Sequence, residues 1–187
     1  MLVANEKFES LPKLDNTNEY EGCVFKNCDF SGAYLTSTRF IECEFVECNL
    51  SNIHVEETSF LDCTFSKCKM LGIQFDRCNH LLFSAKFENC QLDHSTFYQM
   101  KLQQTEFNQS SMEGVDFTDA ELKGTKVTGC NLLNAKFERT NLQGADLTAS
   151  SNFSIDPEQN QISKARFSQS ELEGLLIRYN IKVDRKS

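Results

Sequence analysis

The residues of this sequence with the most evident chemical potential are nine cysteines and three histidines. Thiols and imidazoles are the usual zinc ligands, and paired cysteines form disulfides in oxidising compartments. The cysteines, however, lack the Cys-x-x-Cys spacing of zinc and redox sites, and no histidine is spaced to complete a metal site. No Ser-His-Asp or Cys-His arrangement and no glycine-rich phosphate loop is evident either. The cysteines are Cys23, Cys28, Cys43, Cys48, Cys63, Cys68, Cys78, Cys90 and Cys130.

A five-residue period explains where these cysteines lie. From residue 23 to 75, a large apolar residue returns at every fifth position, and a small or slender one stands two positions before it. This period matches neither the 3.6 of a helix nor the 2 of a strand, so it predicts a repeated turn of the backbone. Every cysteine occupies the small position, where a free thiol packs as an apolar side chain. We therefore interpret the cysteines as core residues and expect no enzyme activity, metal or cofactor.

The pattern resembles the pentapeptide-repeat family. The segments Asp29-Phe30-Ser31-Gly32-Ala33-Tyr34-Leu35 and Ala145-Asp146-Leu147 are close to the ideal repeat of that family, and the similarity covers roughly residues 20–149. The resemblance implies an all-β fold, a right-handed quadrilateral β-helix with four five-residue faces per coil. Residues twenty apart then stack on one face, so that Cys23, Cys43 and Cys63 form one inward ladder.

The repeats define the organisation of the chain. Residues 1–19 precede the register and are predicted to be an N-terminal cap segment, because a solenoid needs its terminal coil covered. The β-helix is predicted for residues 20–172. Within it, residues 149–161 depart from the pattern and contain turn signals. This excursion is interpreted either as an irregular last coil or as a loop that contacts a partner.

The register breaks once, near residues 77–82. Two extra residues enter there, and the pattern of large apolar residues is predicted to restart at Leu82. The backbone must bulge or kink while the inward faces continue on both sides. His80 falls at a small position of the second register, where we expect it to fill a widened corner.

Residues 173–187 differ in character from the repeats. Ser170 and Glu173 fit a capping box, and a helical face of apolar residues follows, so a short helical cap is predicted. Its apolar residues exceed what one coil end requires. In Qnr-type relatives this end forms a symmetric dimer, and the resemblance implies an isologous homodimer here. The predicted dimerisation residues are Leu175, Leu176, Tyr179, Ile181 and Val183.

The acidic composition of the sequence argues against nucleic acid as a partner. A net charge of −8 and an isoelectric point of about 4.9 predict a protein that repels nucleic acid. The sequence has no apolar run of 18 residues, so we expect no membrane span, and its start has no signal-peptide pattern, so a cytoplasmic location is expected. Residues 1–80 contain 13 acidic and 7 basic residues, whereas the remainder contains 14 and 12. The acidity is therefore concentrated in the first half.

The strongest concentration lies in residues 40–66, which contain six acids and no lysine or arginine. Such a run is typical of a solvated face, but it is also a candidate partner-binding face. Its residues, all at outward positions, are Glu42, Glu44, Glu47, Glu56, Glu57 and Asp62. Several apolar residues are also predicted to face outward, where they form a docking surface or lie beneath the N-terminal segment. These are Ile41, Val46, Leu61, Leu71 and Phe83.

Two functions follow. The family includes Qnr-type quinolone-resistance proteins, which resemble B-DNA in shape and charge and bind DNA gyrase. The resemblance thus implies a DNA-mimicking ligand of DNA gyrase or topoisomerase IV. The alternative is a protein-interaction scaffold with another partner. A negative face that continues along both halves favours the mimic, whereas acids confined to the first coils beside an apolar surface favour the scaffold.

Overall fold

The computed structural model describes residues 1–11, 13–14 and 19–183; Pro12, residues 15–18 and residues 184–187, all within the predicted end segments, lie outside the described residues. Its strands form one parallel sheet that winds around a central core. Ladder partners such as Phe45 and Phe65 lie twenty residues apart, so one coil holds four five-residue faces. The predicted all-β quadrilateral β-helix is confirmed.

In the first coils two faces carry strands, and the other two are joined by single bridges, such as the one between Asn49 and Lys69. From β9 onward one face carries strands, and the other three are joined by single bridges, such as the one between Lys101 and Glu121. The strands are β1 (Leu2–Ala4), β2 (Lys7–Glu9), β3 (Glu19–Glu21), β4 (Val24–Lys26), β5 (Arg39–Ile41), β6 (Glu44–Val46), β7 (Ser59–Ser66), β8 (Phe83–Glu88), β9 (Glu106–Asn108), β10 (Lys126–Thr128), β11 (Asp146–Leu147) and β12 (Arg166–Phe167). Short 3-10 helices span Phe75–Arg77, His80–Leu82, Gln169–Leu175 and Ile177–Tyr179.

One face carries nine strands stacked from coil to coil. In order they are β2, β4, β6, the end of β7, β8, β9, β10, β11 and β12. At a spacing of about 4.8 Å per level, the stack is about 38 Å long. Across the described residues, no helix is both long enough and apolar enough to cross a lipid bilayer.

The large apolar residues point inward and stack from coil to coil. The ring of Phe45 lies 4.9 Å from that of Phe25 and 4.9 Å from that of Phe65, and all three rings are nearly parallel. Farther along, Phe117 lies 5.5 Å from Phe97 in the same arrangement. Offset stacking at these distances is favourable for aromatic rings. A single continuous core therefore runs along the axis of the solenoid.

The β-helix begins ahead of the predicted boundary at Tyr20. β1 pairs with β3 and β2 with β4, so part of a further coil lies within the segment predicted as a cap. Val3 pairs with Tyr20, and Phe8 with Phe25, seventeen residues apart rather than twenty. The five-residue period was present in this segment, but the shorter coil put it out of phase with the later repeats.

The register break lies near residues 77–82, as predicted, but the prediction that the inward pattern restarts at Leu82 is wrong. Phe83 takes the inward position opposite Phe60 and is only 6% exposed, while Leu82 is partly exposed. The ring of Phe83 lies 5.8 Å from that of Phe75 and fills the widened coil. The prediction of an outward Phe83 is therefore also wrong, because the larger ring buries more apolar surface than Leu82 would.

The turn at the break projects its polar residues outward. His80 is exposed instead of filling the corner, and its Nε2 lies 2.6 Å from the carbonyl oxygen of Asp76. Leu81 beside it is 91% exposed. His54 and His94 face solvent, as expected from their outward positions.

Small inward residues with a hydroxyl bond to the preceding coil. The hydroxyl of Thr140 donates to the carbonyl oxygen of Phe117, twenty-three residues earlier, at 2.8 Å. The same geometry would direct the hydroxyl of Thr105 to the carbonyl of Leu82. Because Phe83 has replaced Leu82 at the inward position, Thr105 Oγ1 is buried without a hydrogen-bond partner among the described residues.

Substitution by valine should affect the free energy of unfolding differently at Thr105 and at Thr140. We expect Thr105→Val to leave the free energy of unfolding unchanged or to raise it by up to about 1 kcal/mol, because it removes an unpaired buried hydroxyl. Thr140→Val should lower it by about 1–2 kcal/mol, because it removes a formed hydrogen bond. Urea unfolding of both variants measures the difference. Equal losses at both positions would show that the break does not deprive Thr105 of its acceptor.

Candidate functional site

The six acids predicted as a partner-binding face lie outside the coils formed by β5, β6 and β7. Glu56 is partly exposed, and the other five are exposed. Glu44 lies in β6, whereas Glu42, Glu47, Glu57 and Asp62 occupy corners at which the backbone turns from one face to the next. All six carboxylates are therefore presented to solvent on neighbouring coils.

The corner acids hold an uncommon backbone conformation. The φ angle is +52° at Glu42, +55° at Glu47 and Glu57, and +53° at Asp62, all in the left-handed region. Glycine takes up this conformation without steric cost and occupies the equivalent corner at Gly22. A glutamate there costs about 1–2 kcal/mol. The same conformation recurs at non-glycine corners along the whole solenoid, such as Asn27, Lys67 and Asn134, so it belongs to the turn between faces and does not distinguish the acids.

The structure divides the six acids by their partners. Glu47 pairs with Lys67 at 3.4 Å and Glu56 with Arg77 at 3.5 Å, each from the next coil. The carboxylate of Asp62 accepts a hydrogen bond of 2.6 Å from the Ser84 hydroxyl. The remaining three acids form no ion pair with any described residue, and they are Glu42, Glu44 and Glu57.

In the second half of the solenoid, seven of the 14 acids form ion pairs with described residues, in most cases with a base of the following coil. Asp119 receives two hydrogen bonds from the guanidinium of Arg139, at 2.7 and 2.9 Å, and this contact lowers the pKa of Asp119. Arg166 donates to Asp146 at 2.9 Å. Exposed pairs of this kind contribute little stability, but they cancel charge locally. The acids paired in this half are Glu106, Asp116, Asp119, Glu138, Asp146, Asp156 and Glu158.

The first 80 residues differ, since only Glu19, Glu47 and Glu56 form ion pairs there among the described residues. Negative potential is therefore concentrated on the first coils rather than distributed along both halves. Acids confined to the first coils are the distribution expected of a scaffold rather than of a DNA mimic.

An apolar strip lies between the acidic corners. Ile41 of β5 pairs with Leu61 of β7, and both side chains are partly exposed. Glu57 lies at the corner before this face, and Glu42 and Asp62 at the corner after it. Val46, on the next face, is also partly exposed, whereas the partly exposed Leu71 lies two faces beyond Leu61, on the opposite side of the coil. The strip and its acidic rim could contact both apolar and basic groups of a partner.

The residues predicted for dimerisation lie in and after the two C-terminal 3-10 helices. Leu175 packs against the core, and Leu176 is partly exposed. The exposed members are Tyr179 at 50%, Ile181 at 55% and Val183 at 46%. A hollow of about 260 Å³ is lined by the last two together with Leu176.

Two exposed apolar residues of this end, Leu172 and Ile177, were not predicted. The segment was predicted to be a short helical cap with apolar residues on one face. The structure forms 3-10 helices, whose three residues per turn direct the side chains differently from an α-helix. The predicted capping box is also wrong, because the helix begins at Gln169 and Ser168 is its N-cap residue. The Ser168 hydroxyl instead accepts a hydrogen bond of 2.8 Å from the Ala149 amide.

All nine cysteines are buried and carry free thiols, so their predicted inward position is confirmed. Thiols donate to carbonyl oxygens of the preceding coil, as Cys68 does to Phe45 at 3.3 Å. Burial raises the pKa of Cys43 and of Cys130 to about 11 each. Within the described ranges, no three histidine, cysteine, aspartate or glutamate side chains are grouped so as to hold a metal ion.

Comparisons with known proteins agree with this architecture. The family profile described as Pentapeptide repeats (8 copies) matches residues 21–52 and 43–79, and that described as Pentapeptide repeat region matches residues 80–177. No curated protein sequence matches the chain.

Among solved structures, two trypsin-treated variants of QnrB1, a plasmid-mediated fluoroquinolone resistance protein, each have a TM-score of 0.65 and 22% identity, with 98% of both chains covered. HetL, a pentapeptide repeat protein involved in heterocyst differentiation regulation from the cyanobacterium Nostoc, has a TM-score of 0.36 and 15% identity, over 88% of this chain and 82% of its own. The similarity to QnrB1 shows a shared fold.

Proposed function

This chain belongs to the pentapeptide-repeat family, and we propose that it is a non-enzymatic interaction scaffold that binds a basic protein surface through its first coils. The observation that carries the proposal is the distribution of paired and unpaired acids. Glu42, Glu44 and Glu57 form no ion pair with any described residue. Only three acids of the first 80 residues form ion pairs among the described residues, whereas seven acids of the second half do. Binding to a basic partner would satisfy the unpaired carboxylates.

The partner is expected to carry apolar as well as basic residues. Ile41 and Leu61 are partly exposed between the acidic corners, so a contact across this face buries them together with the charged rim. In interfaces of this type, apolar burial supplies affinity, and complementary charge raises the association rate and sets the orientation. The occupant we propose is therefore a lysine- or arginine-bearing protein surface with an apolar centre.

Mimicry of DNA toward gyrase or topoisomerase IV is the second candidate. It is favoured by the rod shape and the net charge of −8. Duplex DNA of the same length of about 38 Å carries about 22 negative charges. The net charge of the chain is far smaller, and its second half carries 14 acids against 12 bases, so the scaffold is the better-supported function.

The proposal includes a homodimer formed through the C-terminal end, where Ile177, Tyr179, Ile181 and Val183 are about half exposed. Such an interface would be isologous and would place the acidic coils at the two far ends of the assembly. The cytoplasmic location expected from the sequence is part of the same proposal.

Neutralisation of the acidic face tests the proposed function. The variant carries Glu42→Gln, Glu44→Gln, Glu56→Gln, Glu57→Gln and Asp62→Asn, which keep the shape and remove five charges. We expect the dissociation constant for the basic partner to rise at least about ten-fold at low salt, because charge complementarity is lost. Wild-type binding should weaken steeply as salt increases. Partners are captured on immobilised wild-type protein, identified by mass spectrometry, purified and titrated by calorimetry.

The control is a second variant that also loses five negative charges, but from the second half of the solenoid, so that its net charge equals that of the first variant. It carries Glu88→Gln, Glu113→Gln, Glu121→Gln, Glu138→Gln and Glu171→Gln. The control should bind as wild type does. Equal weakening by both variants would show that only overall charge matters and would contradict a site on the first coils.

Binding and supercoiling assays with purified DNA gyrase and topoisomerase IV distinguish the scaffold from the DNA mimic. The scaffold proposal expects no binding to either enzyme and no inhibition of supercoiling at low salt. Binding that duplex DNA displaces, with equal sensitivity to both charge variants, would instead establish the mimic.

A further inference from the structure

Residues 149–161, which depart from the repeat, close the end of the core. Phe153 and Ile155 are buried, with 2% and 1% exposure. The ring of Phe153 lies 5.3 Å from that of Phe167 of β12. This part of the excursion is therefore not an exposed partner loop, because its apolar side chains plug the last coil.

The backbone of the C-terminal helix lies directly on this plug. The amide of Ile155 donates to the carbonyl oxygen of Gly174 at 3.0 Å. A Cβ added to Gly174 would overlap the carbonyl oxygen of Phe153 and would lie 2.6 Å from two of its ring carbons. Only glycine permits this approach, so the position of the helix against the excursion is set by backbone contact.

A charged clasp joins the same two segments farther out. Nη1 of Arg178 lies 2.8 Å from Asp156 and 2.7 Å from Glu158, so that one guanidinium bridges two carboxylates. The Tyr179 hydroxyl donates to Glu158 at 2.8 Å, and this bond raises the pKa of Tyr179. The Asp156 side chain is only 19% exposed, which reduces solvent screening of its pair with Arg178.

Several apolar side chains of the same helical end are exposed. Leu172 and Ile177 are 42% and 58% exposed, and the apolar residues Ile181 and Val183 beyond them are 55% and 46% exposed. The end is thus held by the excursion through Gly174 and Arg178, while these four apolar side chains remain exposed.

We infer that the excursion is a positioning element for the C-terminal interface: through the clasp of Arg178 with Asp156 and Glu158, it holds the end in the orientation that receives a second copy of the chain. This inference rests on the proposed homodimer. Arg178 acts through the helix rather than by touching the second copy, whereas Ile181 is a contact residue. The two roles predict different responses to substitution.

The experiment compares Arg178→Gln with Ile181→Asp and with Lys123→Gln, a matched loss of one positive charge at an exposed position. Sedimentation equilibrium measures the dimer dissociation constant, and hydrogen exchange measures the amides of residues 174–180. Arg178→Gln should weaken the dimer about ten-fold, as remote positioning residues do, and should accelerate exchange in this segment even in the monomer. Ile181→Asp should abolish the dimer without accelerating monomer exchange, and Lys123→Gln should change neither.

Each other result overturns a defined part of the inference. A weaker dimer with unchanged exchange in Arg178→Gln would make Arg178 a contact residue. Faster exchange in Arg178→Gln with an unchanged dimer dissociation constant would show that the clasp holds the C-terminal end but does not contribute to dimer formation. A wild-type protein that stays monomeric at every concentration would refute the proposed homodimer and the assembly role, and the exchange data would then decide whether the clasp holds the end at all.

Discussion

Phe45→Ala will lower the free energy of unfolding by about 3–5 kcal/mol, and Phe117→Ala will do the same. Both rings are fully buried, and each stacks between aromatic rings of the coils above and below. Truncation removes the transfer free energy of the ring and leaves a cavity that the neighbouring coils cannot close without breaking their backbone ladders. Urea unfolding followed by circular dichroism measures the loss.

The two sites lie on different faces and on opposite sides of the register break, so they test the inward assignment twice. Thr64→Ala, at a partly exposed outward position of β7, is the control and should stay within about 0.5 kcal/mol of wild type. Similar small effects at all three positions would contradict the placement of the core.

The second large effect concerns thiol chemistry. In the native protein at pH 8, the nine cysteines should react with a thiol reagent at least about a thousand-fold more slowly than in denaturant, because labelling requires opening of the solenoid. Every cysteine is buried, and none is more than 4% exposed. The neighbouring thiol of Cys68 lowers the pKa of the Cys48 thiol, yet Cys48 is as buried as the other cysteines. Access rather than acidity thus limits the reaction.

A cysteine introduced at the exposed outward position Asn108 is the control and should react within the mixing time of a manual assay. Labelling is followed by absorbance and located by mass spectrometry. Native cysteines that react as fast as Asn108→Cys would contradict their inward position. A chelator should leave the melting temperature unchanged.

The same burial gives the stability a dependence on alkaline pH. The folded state raises the pKa of Cys43 and Cys130 from 9.0 to about 11, so it retains these protons more tightly than the unfolded chain does. Their contribution to stability is complete below about pH 9 and is lost as pH rises through about 11.

Much of the fold could be predicted from the sequence because the inside of a narrow coil selects residues by size. A large ring and a small partner recur every fifth position, so centres such as Phe45 and small positions such as Cys63 could be assigned without coordinates, and both are buried. The outward direction of Glu42 and Glu57 followed from the same period, since whatever is not inward faces solvent.

Where the period changed, the sequence determined less. At the break, two neighbouring apolar residues, Leu82 and Phe83, were both available for one inward position. The choice of Phe83 depends on its contacts with Phe60 and Phe75, which are distant in sequence. At the first coil, Val3 and Phe8 keep the five-residue spacing, but a coil of seventeen residues conceals their alignment with the rest.

The tertiary structure alone decided which charges are free. Glu56 pairs with Arg77 and Glu47 with Lys67, across coils, while Glu57 pairs with no described residue, although all three are acids of one short stretch. The number of residues per coil determines these partners, and it is 20 in most coils but larger at the break. The C-terminal end shows the same limit, because Arg178, which lies in a 3-10 helix beyond the last strand, contacts Asp156, 22 residues earlier. Local sequence determines whether a side chain points inward or outward, but its partner on the next coil depends on the number of residues in the coil between them.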